Sequence, residues 1–233
     1  MIRSSLFNFF FFSGVAITCI LAIPCLFFPS FFISKLGKAL GYWLQLNLRI
    51  FLNCKIKIRG LENLVKKDKF FVASAHQSIF ETFYLQTIID SPIFILKKEL
   101  FKIPLFGLFL KKMGCISIVR NTTTKENIGF FDLVYENFKK NNRPLIIFPQ
   151  GTRTPINEKI SFKKGVGRIY EKLNIKCLPI ALNSDKLWPK IGPKKNNIEI
   201  TISILNPIDP GMEKDLFIKN LEKKIYDEID LIK

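Results

Sequence analysis

Between Arg3 and Lys35 the chain carries no charged residue, which leaves an uncharged stretch of 31 positions. Leu6–Phe28 alone is long enough to cross the apolar layer of a bilayer. Pro24 and Pro29 then interrupt the helix, because proline removes a backbone donor and collides with the preceding turn. After them Phe31, Phe32, Ile33, Leu36, Leu40, Trp43, Leu44, Leu48 and Phe51 recur at helical spacing. Lys35, Lys38, Gln45 and Arg49 lie between them, the pattern of an amphipathic helix lying in an interface. Three readings fit this segment. A signal peptide is disfavoured by the length of the apolar run and by the lack of a small-residue cleavage site before Lys35. A single spanning helix and a helix–proline turn–helix hairpin dipping into one leaflet stay open. Both put the rest of the chain on the cytoplasmic face of the inner membrane, where the following lysines and arginines would hold it.

The rest of the composition agrees with a lipid surface. Hydrophobic residues make up 48% of the chain, 24 of them phenylalanine, yet the formal net charge is +17. A strongly basic chain meets either nucleic acid or anionic lipid, and the apolar content favours lipid. A basic recognition helix, zinc-ligand spacing and a ribonucleoprotein aromatic signature are all missing from the sequence, so nucleic acid is not an expected partner. The five cysteines (Cys19, Cys25, Cys54, Cys115 and Cys177) are odd in number and form no C-x-x-C pair. They indicate neither a metal site nor a disulfide framework, and they read mostly as small buried hydrophobes in a reducing compartment.

The texture changes near residue 55, so the expected division is a membrane-associating segment, 1–54, and a catalytic-type domain, 55–233. Strand patterns are expected at 55–59, 70–74, 93–96, 115–119, 144–148, 176–182 and 197–204. Helices are expected at 79–89, 123–140, 164–173 and 213–231, with Thr123-x-x-Glu126 as a capping box for the second. Such alternation predicts an α/β fold: a largely parallel mixed sheet flanked by helices. The segment from Lys97 to Lys112 mixes lysine with aromatic residues. It reads as a solvated helix with a core face or, at a membrane-facing rim, as a lysine cluster drawn to anionic head groups; the second is preferred.

His76 is the only histidine. Its unperturbed pKa lies near neutrality, which makes it the natural general base. It follows the apolar strand 70–74 and precedes a helix, and Glu81 lies five residues on. On one helix that spacing would separate the side chains, so His76 is expected in the turn with Glu81 pointing back from the first turn. A carboxylate there would accept the Nδ1–H and leave Nε2 free. A competing reading is structural: Ser78-x-x-Glu81 is also a capping box.

A second motif is Phe148-Pro149-Gln150-Gly151-Thr152-Arg153, where a strand delivers an arginine to its carboxyl end, the edge at which open α/β sheets bind ligands. Arg153 offers a rigid fork for a phosphate, Gly151 allows close backbone approach, and Thr152 adds a hydroxyl. Arg120 likewise ends an apolar strand. Two arginines so placed point to an anionic substrate.

His76-x4-Glu81, Gly114-x5-Arg120, Phe148–Arg153 and Leu178-Pro179-Ile180-Ala181-Leu182-Asn183-Ser184 occur in that order. This four-block pattern resembles the glycerolipid acyltransferase family, particularly its bacterial 1-acyl-sn-glycerol-3-phosphate acyltransferases. It covers roughly residues 70–190. Phe162-Lys163-Lys164-Gly165 and Trp188-Pro189 look similar too. Three positions depart from the family pattern: Glu81 stands for the usual aspartate, Ala75 for an asparagine, and Gln150 for a glutamate, which removes a negative charge near the presumed phosphate site.

The resemblance implies a glycerol-3-phosphate acyltransferase-like fold. It also implies transfer of a fatty acyl group to the sn-2 hydroxyl of lysophosphatidic acid, with His76 and Glu81 catalytic and Arg120, Gly151, Thr152 and Arg153 binding substrate. The acyl donor would be an acyl thioester, on coenzyme A or on acyl carrier protein. No metal or other cofactor is implied, and an acyl-enzyme on Cys115 or Ser78 is not part of the family pattern. Other acceptors (glycerol-3-phosphate, another lysophospholipid or a lipid A precursor) and a non-catalytic lipid-binding role remain as alternatives.

Overall fold

A computed structural model of the chain describes residues 2–65, 68–119 and 129–233. Two helices lead, α1 (Ile2–Leu21) and α2 (Ser30–Leu52), joined by a 3-10 turn at Ile23–Phe27. Pro24 lies in that turn, and Pro29 caps the start of α2, where its missing N–H has no helical partner to lose. The segment is thus a helix, a proline-bearing turn and a second helix, an arrangement that the spanning and the one-leaflet readings share.

Seven strands follow: β1 (Lys55–Arg59), β2 (Phe70–Ser74), β3 (Ile93–Lys97), β4 (Ile116–Ile118), β5 (Leu145–Ile147), β6 (Lys176–Leu182) and β7 (Glu199–Ile204). Between them lie α3 (Phe80–Ile88), α4 (Phe106–Lys112), α5 (Phe130–Asn141) and α6 (Gly165–Leu173), and α7 (Lys214–Ile232) closes the chain. The sheet order is β1-β7-β6-β2-β5-β3-β4. Only the β6–β7 junction is antiparallel, so the largely parallel mixed sheet is as expected. β2 is central, with Phe71 level with Cys177 of β6 and Leu145 of β5. All five of its residues are buried, as a strand covered on both faces requires.

Helix α5 is described from Phe130. Residues 123–128, with the Thr123–Glu126 capping box, lie outside the described residues, and so does Arg120. The lysine-rich segment is a 3-10 turn (Lys98–Lys102) followed by α4. All five cysteines are free; Cys54 and Cys177 are fully buried, but the other three are only partly so, fewer than the sequence suggested.

The hairpin is continuous with the main core. Phe7, Phe11, Leu44, Leu48 and Leu52 are fully buried in the same cluster as β2 and β6. Helix α2 lies close on α3 because Gly37 and Gly41, one turn apart, present no side chain. A Cβ on Gly37 would come 2.1 Å from Gln86 Oε1, and one on Gly41 would come 2.8 Å from the Phe83 carbonyl. Small residues spaced this way let helix backbones approach. Arg143 adds a polar tie, donating to the Ser91 carbonyl (2.7 Å), the Met113 carbonyl (2.9 Å) and Ser34 Oγ on α2 (3.2 Å).

Candidate active site

β2, β5 and β6 are neighbouring parallel strands, so their carboxyl ends meet at one edge of the sheet. His76 follows β2, the Phe148–Arg153 turn follows β5, and Ser184 follows β6. Topology alone thus assembles three of the sequence motifs.

His76 sits in the turn, as its spacing from Glu81 predicts. Its Nδ1 is 2.8 Å from Glu81 Oε1. A carboxylate can only accept, so Nδ1 carries the proton and Nε2 is left as the basic nitrogen. Glu81 is fully buried and collects further donors. Oε1 also accepts the N–H groups of Gln77 (2.6 Å) and Ser78 (2.8 Å), and Oε2 accepts the hydroxyls of Ser78 (3.0 Å) and Ser184 (2.9 Å). Ser78 Oγ in turn accepts the Phe80 N–H at 3.0 Å. The dyad geometry is present, and the same carboxylate takes the Ser78 N–H as a capping box would. The reciprocal half of the box is not: the helix is capped at Ile79 without a side-chain bond, and Ser78 Oγ accepts from Phe80. Burial is the largest influence on Glu81 and pushes its pKa up. The hydrogen bond and charge of His76, with the backbone N–H of Ser78, outweigh burial and hold it below the ordinary carboxylate value.

The two motifs are stitched together through the histidine backbone. Gln150 Oε1 accepts the His76 N–H (2.6 Å), and the Thr154 N–H donates to the His76 carbonyl (2.8 Å). Gln150 is 1% exposed, and its Nε2 reaches Tyr226 OH of α7 at 3.4 Å. The side chain that stands where the family usually has glutamate is thus buried between the histidine backbone and α7. A neutral amide suits that place, since it accepts on one end and donates on the other. The Phe148 ring stacks on the imidazole, centroids 4.3 Å apart. Gln77 Oε1 accepts the Asp185 N–H (3.1 Å), which fastens the turn after β6 to the same loop.

In the Phe148–Arg153 turn, Gly151 has φ +70°, a conformation that strains other residues, and its N–H closes onto the Phe148 carbonyl at 3.0 Å. Thr152 is exposed and Arg153 half-buried. Among the described residues no carboxylate pairs with Arg153. His76 and Arg153 line one groove of about 670 Å³, walled by apolar residues of α1, α3 and the 98–106 segment, including Phe12, Val15, Phe83, Leu100 and Phe106. A deeper pocket of about 110 Å³ shares Phe83, Leu96, Leu100 and Phe106 with it and runs between α2, α3 and α4 to Met113. Sequence reasoning named His76, Glu81, Gly151, Thr152 and Arg153. The structure joins the first two and puts His76 and Arg153 on one groove, while Gly151 lines a separate pocket with Pro149 and Lys163 and Thr152 lines neither. Sequence reasoning missed Ser184, Thr154 and Tyr226 as supports; of these only Ser184 lay in a quoted block.

A mostly parallel α/β sheet thus carries a buried histidine–glutamate pair and, on the same apolar groove, an arginine with no carboxylate partner among the described residues. The family described as Acyltransferase matches residues 55–183. The chain is 32% identical over 146 residues to the 1-acyl-sn-glycerol-3-phosphate acyltransferase of Pseudomonas aeruginosa, covering 62% of this chain and 55% of that protein. The proteins of the same name from Saccharomyces cerevisiae and Helicobacter pylori are each 31% identical, the first over 80% of this chain and 62% of its own length, the second over 76% of both. The chain thus spans a little over half the length of the first of these relatives. The crystal structure of the 1-acyl-sn-glycerophosphate acyltransferase PlsC from Thermotoga maritima superposes with a TM-score of 0.78, covering 100% of this chain and 98% of that one at 22% identity, a likeness of fold. The chain belongs to the acyltransferase family.

Proposed function

We propose that this protein moves a fatty acyl group from an acyl thioester, on coenzyme A or acyl carrier protein, to the sn-2 hydroxyl of 1-acyl-glycerol-3-phosphate, giving phosphatidic acid. The observation that carries the reading is the shared groove: a histidine with a free Nε2 and an arginine with no described carboxylate partner open on one apolar surface. The names of the relatives support the acceptor.

His76 Nε2 takes the hydroxyl proton as that oxygen attacks the thioester carbonyl. The tetrahedral intermediate collapses, the carbon–sulfur bond breaks, and the proton passes to the departing thiolate. Glu81 holds the imidazole in this tautomer and stabilises the imidazolium. Arg153, with Gly151 and Thr152 and with Arg120, holds the phosphate and so positions the hydroxyl. The apolar groove takes acyl chain. The protein works at the cytoplasmic face of the inner membrane, docked by residues 1–54 and the lysines of 97–112. Helix α1 has the length and composition to cross a membrane, and only 17% of its apolar window is buried inside the protein.

The deciding experiment incubates purified protein with acyl-coenzyme A or acyl carrier protein thioesters and a panel of lyso-acceptors, with product identification by mass. Phosphatidic acid made from lysophosphatidic acid is the expected product. A different preferred acceptor would refute the acceptor assignment, and lipid binding without any product would make the chain a binder. Arg153→Ala is expected to raise KM for the phosphate acceptor roughly 10- to 100-fold, the cost of a lost charged hydrogen bond. An unchanged KM would remove Arg153 from the phosphate site.

A further inference from the structure

The loop from Pro189 to Asn197, between β6 and β7, has no part in the chemistry above, yet it is fastened to the first two turns of α1. The Lys194 N–H donates to Ser4 Oγ (3.1 Å), and its ammonium reaches Asn8 Oδ1. That ammonium also lies 4.3 Å from the Trp188 ring centroid and 5.5 Å from that of Phe7. The two rings meet edge to face at 5.3 Å, and the Lys195 N–H closes the loop on the Leu187 carbonyl at 2.8 Å. Loop and helix are therefore tied together through Lys194 and Trp188.

At the tip of this loop the residue types reverse. Lys190, Ile191, Gly192, Pro193 and Lys195 are exposed. Ile191 is 87% exposed, more than any other large apolar side chain among the described residues. A lone surface isoleucine needs no explanation. This one is different because the loop that carries it is hydrogen-bonded to the start of α1, where Ile2 and Leu6 are 78% and 42% exposed, and because lysines flank it. An apolar tip with cations beside it matches the layered chemistry of a bilayer surface, where phosphates overlie acyl chain.

We propose that Pro189–Lys195 is a second membrane contact: Ile191 enters the head-group layer of an anionic bilayer while Lys190 and Lys195 bind lipid phosphates. It rests on the membrane-docked reading above and adds to it an element outside the hairpin. Its effect is to fix the tilt of α1 at the surface, and through Phe7 and Phe11 the setting of the groove. Each lysine at an anionic surface contributes about 1 kcal/mol, or about five-fold in binding.

The test uses the full chain reconstituted in vesicles of phosphatidylcholine, with or without phosphatidylglycerol. Ile191→Trp adds a third reporter to Trp43 and Trp188. The expected result is an added emission component that shifts to the blue and is quenched by brominated lipid in the anionic vesicles. Lys190→Gln with Lys195→Gln, or high salt, should weaken that quenching. Activity in neutral detergent micelles should not change in either variant. A water-like, unquenched signal from position 191 in active, vesicle-bound protein would overturn the proposal while leaving membrane docking and acyl transfer standing. A blue shift that appears without vesicles and grows with protein concentration would overturn it in favour of contact between two copies. Protein that fails to float with vesicles at all would instead refute the membrane reading beneath it.

Discussion

The corner around His76 and the contacts of the hairpin handle buried polar atoms in opposite ways. In the corner, Glu81 accepts five donors, both backbone groups of His76 are paired, and Gln150 is engaged at both ends. In the hairpin contacts, Trp43 Nε1 and Gln86 Oε1 are buried without a partner, the two such side-chain atoms among the described residues. Each abuts a glycine. A Cβ on Gly14 would lie 2.2 Å from Trp43 Nε1, and one on Gly37 would lie 2.1 Å from Gln86 Oε1. One region is held by satisfied hydrogen bonds, the other by close approach of backbones. A polar corner of this kind depends on keeping its buried acceptors in place, whereas a contact built on small residues is sensitive to size alone.

The largest test of this contrast is His76→Ala. If the imidazole is the base, turnover should fall by about 10²- to 10⁴-fold while the melting temperature barely moves. Retained turnover would show that the polar corner is only structural.

Glu81 separates the two duties of one carboxylate. In Glu81→Gln, Oε1 can still accept from Gln77, Ser78 and His76, and the new amide can donate to the hydroxyls of Ser78 and Ser184. Stability should therefore stay within about 1 kcal/mol of the parent, while loss of the charge behind the imidazole should cut turnover at least ~10-fold. Glu81→Ala strands buried N–H groups, each costing about 1–3 kcal/mol, so it should lose both stability and activity. Equal thermal loss in the two variants would mean that the charge, and not the acceptor geometry, holds the turn. The pH dependence follows from the same group. Its folded pKa lies below the unfolded one, so its contribution to stability is complete above the unfolded carboxylate range and is lost as pH falls through the folded value. Acid denaturation followed by circular dichroism should begin at higher pH in the parent than in Glu81→Gln, which has no such proton to take up.

Much of this arrangement was readable from the chain. Hydrophobic alternation placed all seven strands to within a residue or two, because buried parallel strands leave continuous apolar runs. The five-residue gap between His76 and Glu81 placed one in the turn and the other in the first helical turn. What the sequence could not show was reach across the chain. Ser184 lies 103 residues from Glu81, and Tyr226 lies 76 from Gln150, and no local period connects either pair. The partners of Gln150 were hidden for the same reason: its motif says where the turn is, but tertiary contact decides which way each side chain faces. The glycine pair on α2 went unused too, since a helix that reads as amphipathic gives no hint that its partner is another helix.

Gly41→Leu probes the hairpin side of the comparison. A Cβ there already falls 2.5 Å from Thr87 Cγ2 and 2.8 Å from the Phe83 carbonyl. Overpacking of this kind costs about 1–3 kcal/mol and should push α2 away from α3, lowering the melting temperature in detergent. Because Phe83 lines the groove beside His76, the acyl-chain preference should change with it. A normal melting temperature would show that α2 and α3 are not held as described.

The smallest effect on the fold is expected on the outer face of α1. Phe9 is 65% exposed, and its contact is edge-to-face with neighbouring Phe10 at 5.4 Å. Phe9→Ser therefore removes little that the protein itself buries, and its melting temperature in detergent should stay within the range of ordinary surface changes, about 0.5 kcal/mol. In a bilayer the same substitution withdraws an aromatic ring from lipid, a loss of about 1.5–3 kcal/mol of membrane affinity, visible as weaker retention on vesicles after a high-salt wash. Phe7→Ser makes the opposite pairing, because Phe7 is fully buried against Phe11 and Trp188: the fold should suffer before membrane retention does. If both variants lost stability equally in detergent, the outer face of α1 would be packed against protein, and Phe9 would belong with Phe7 in the core.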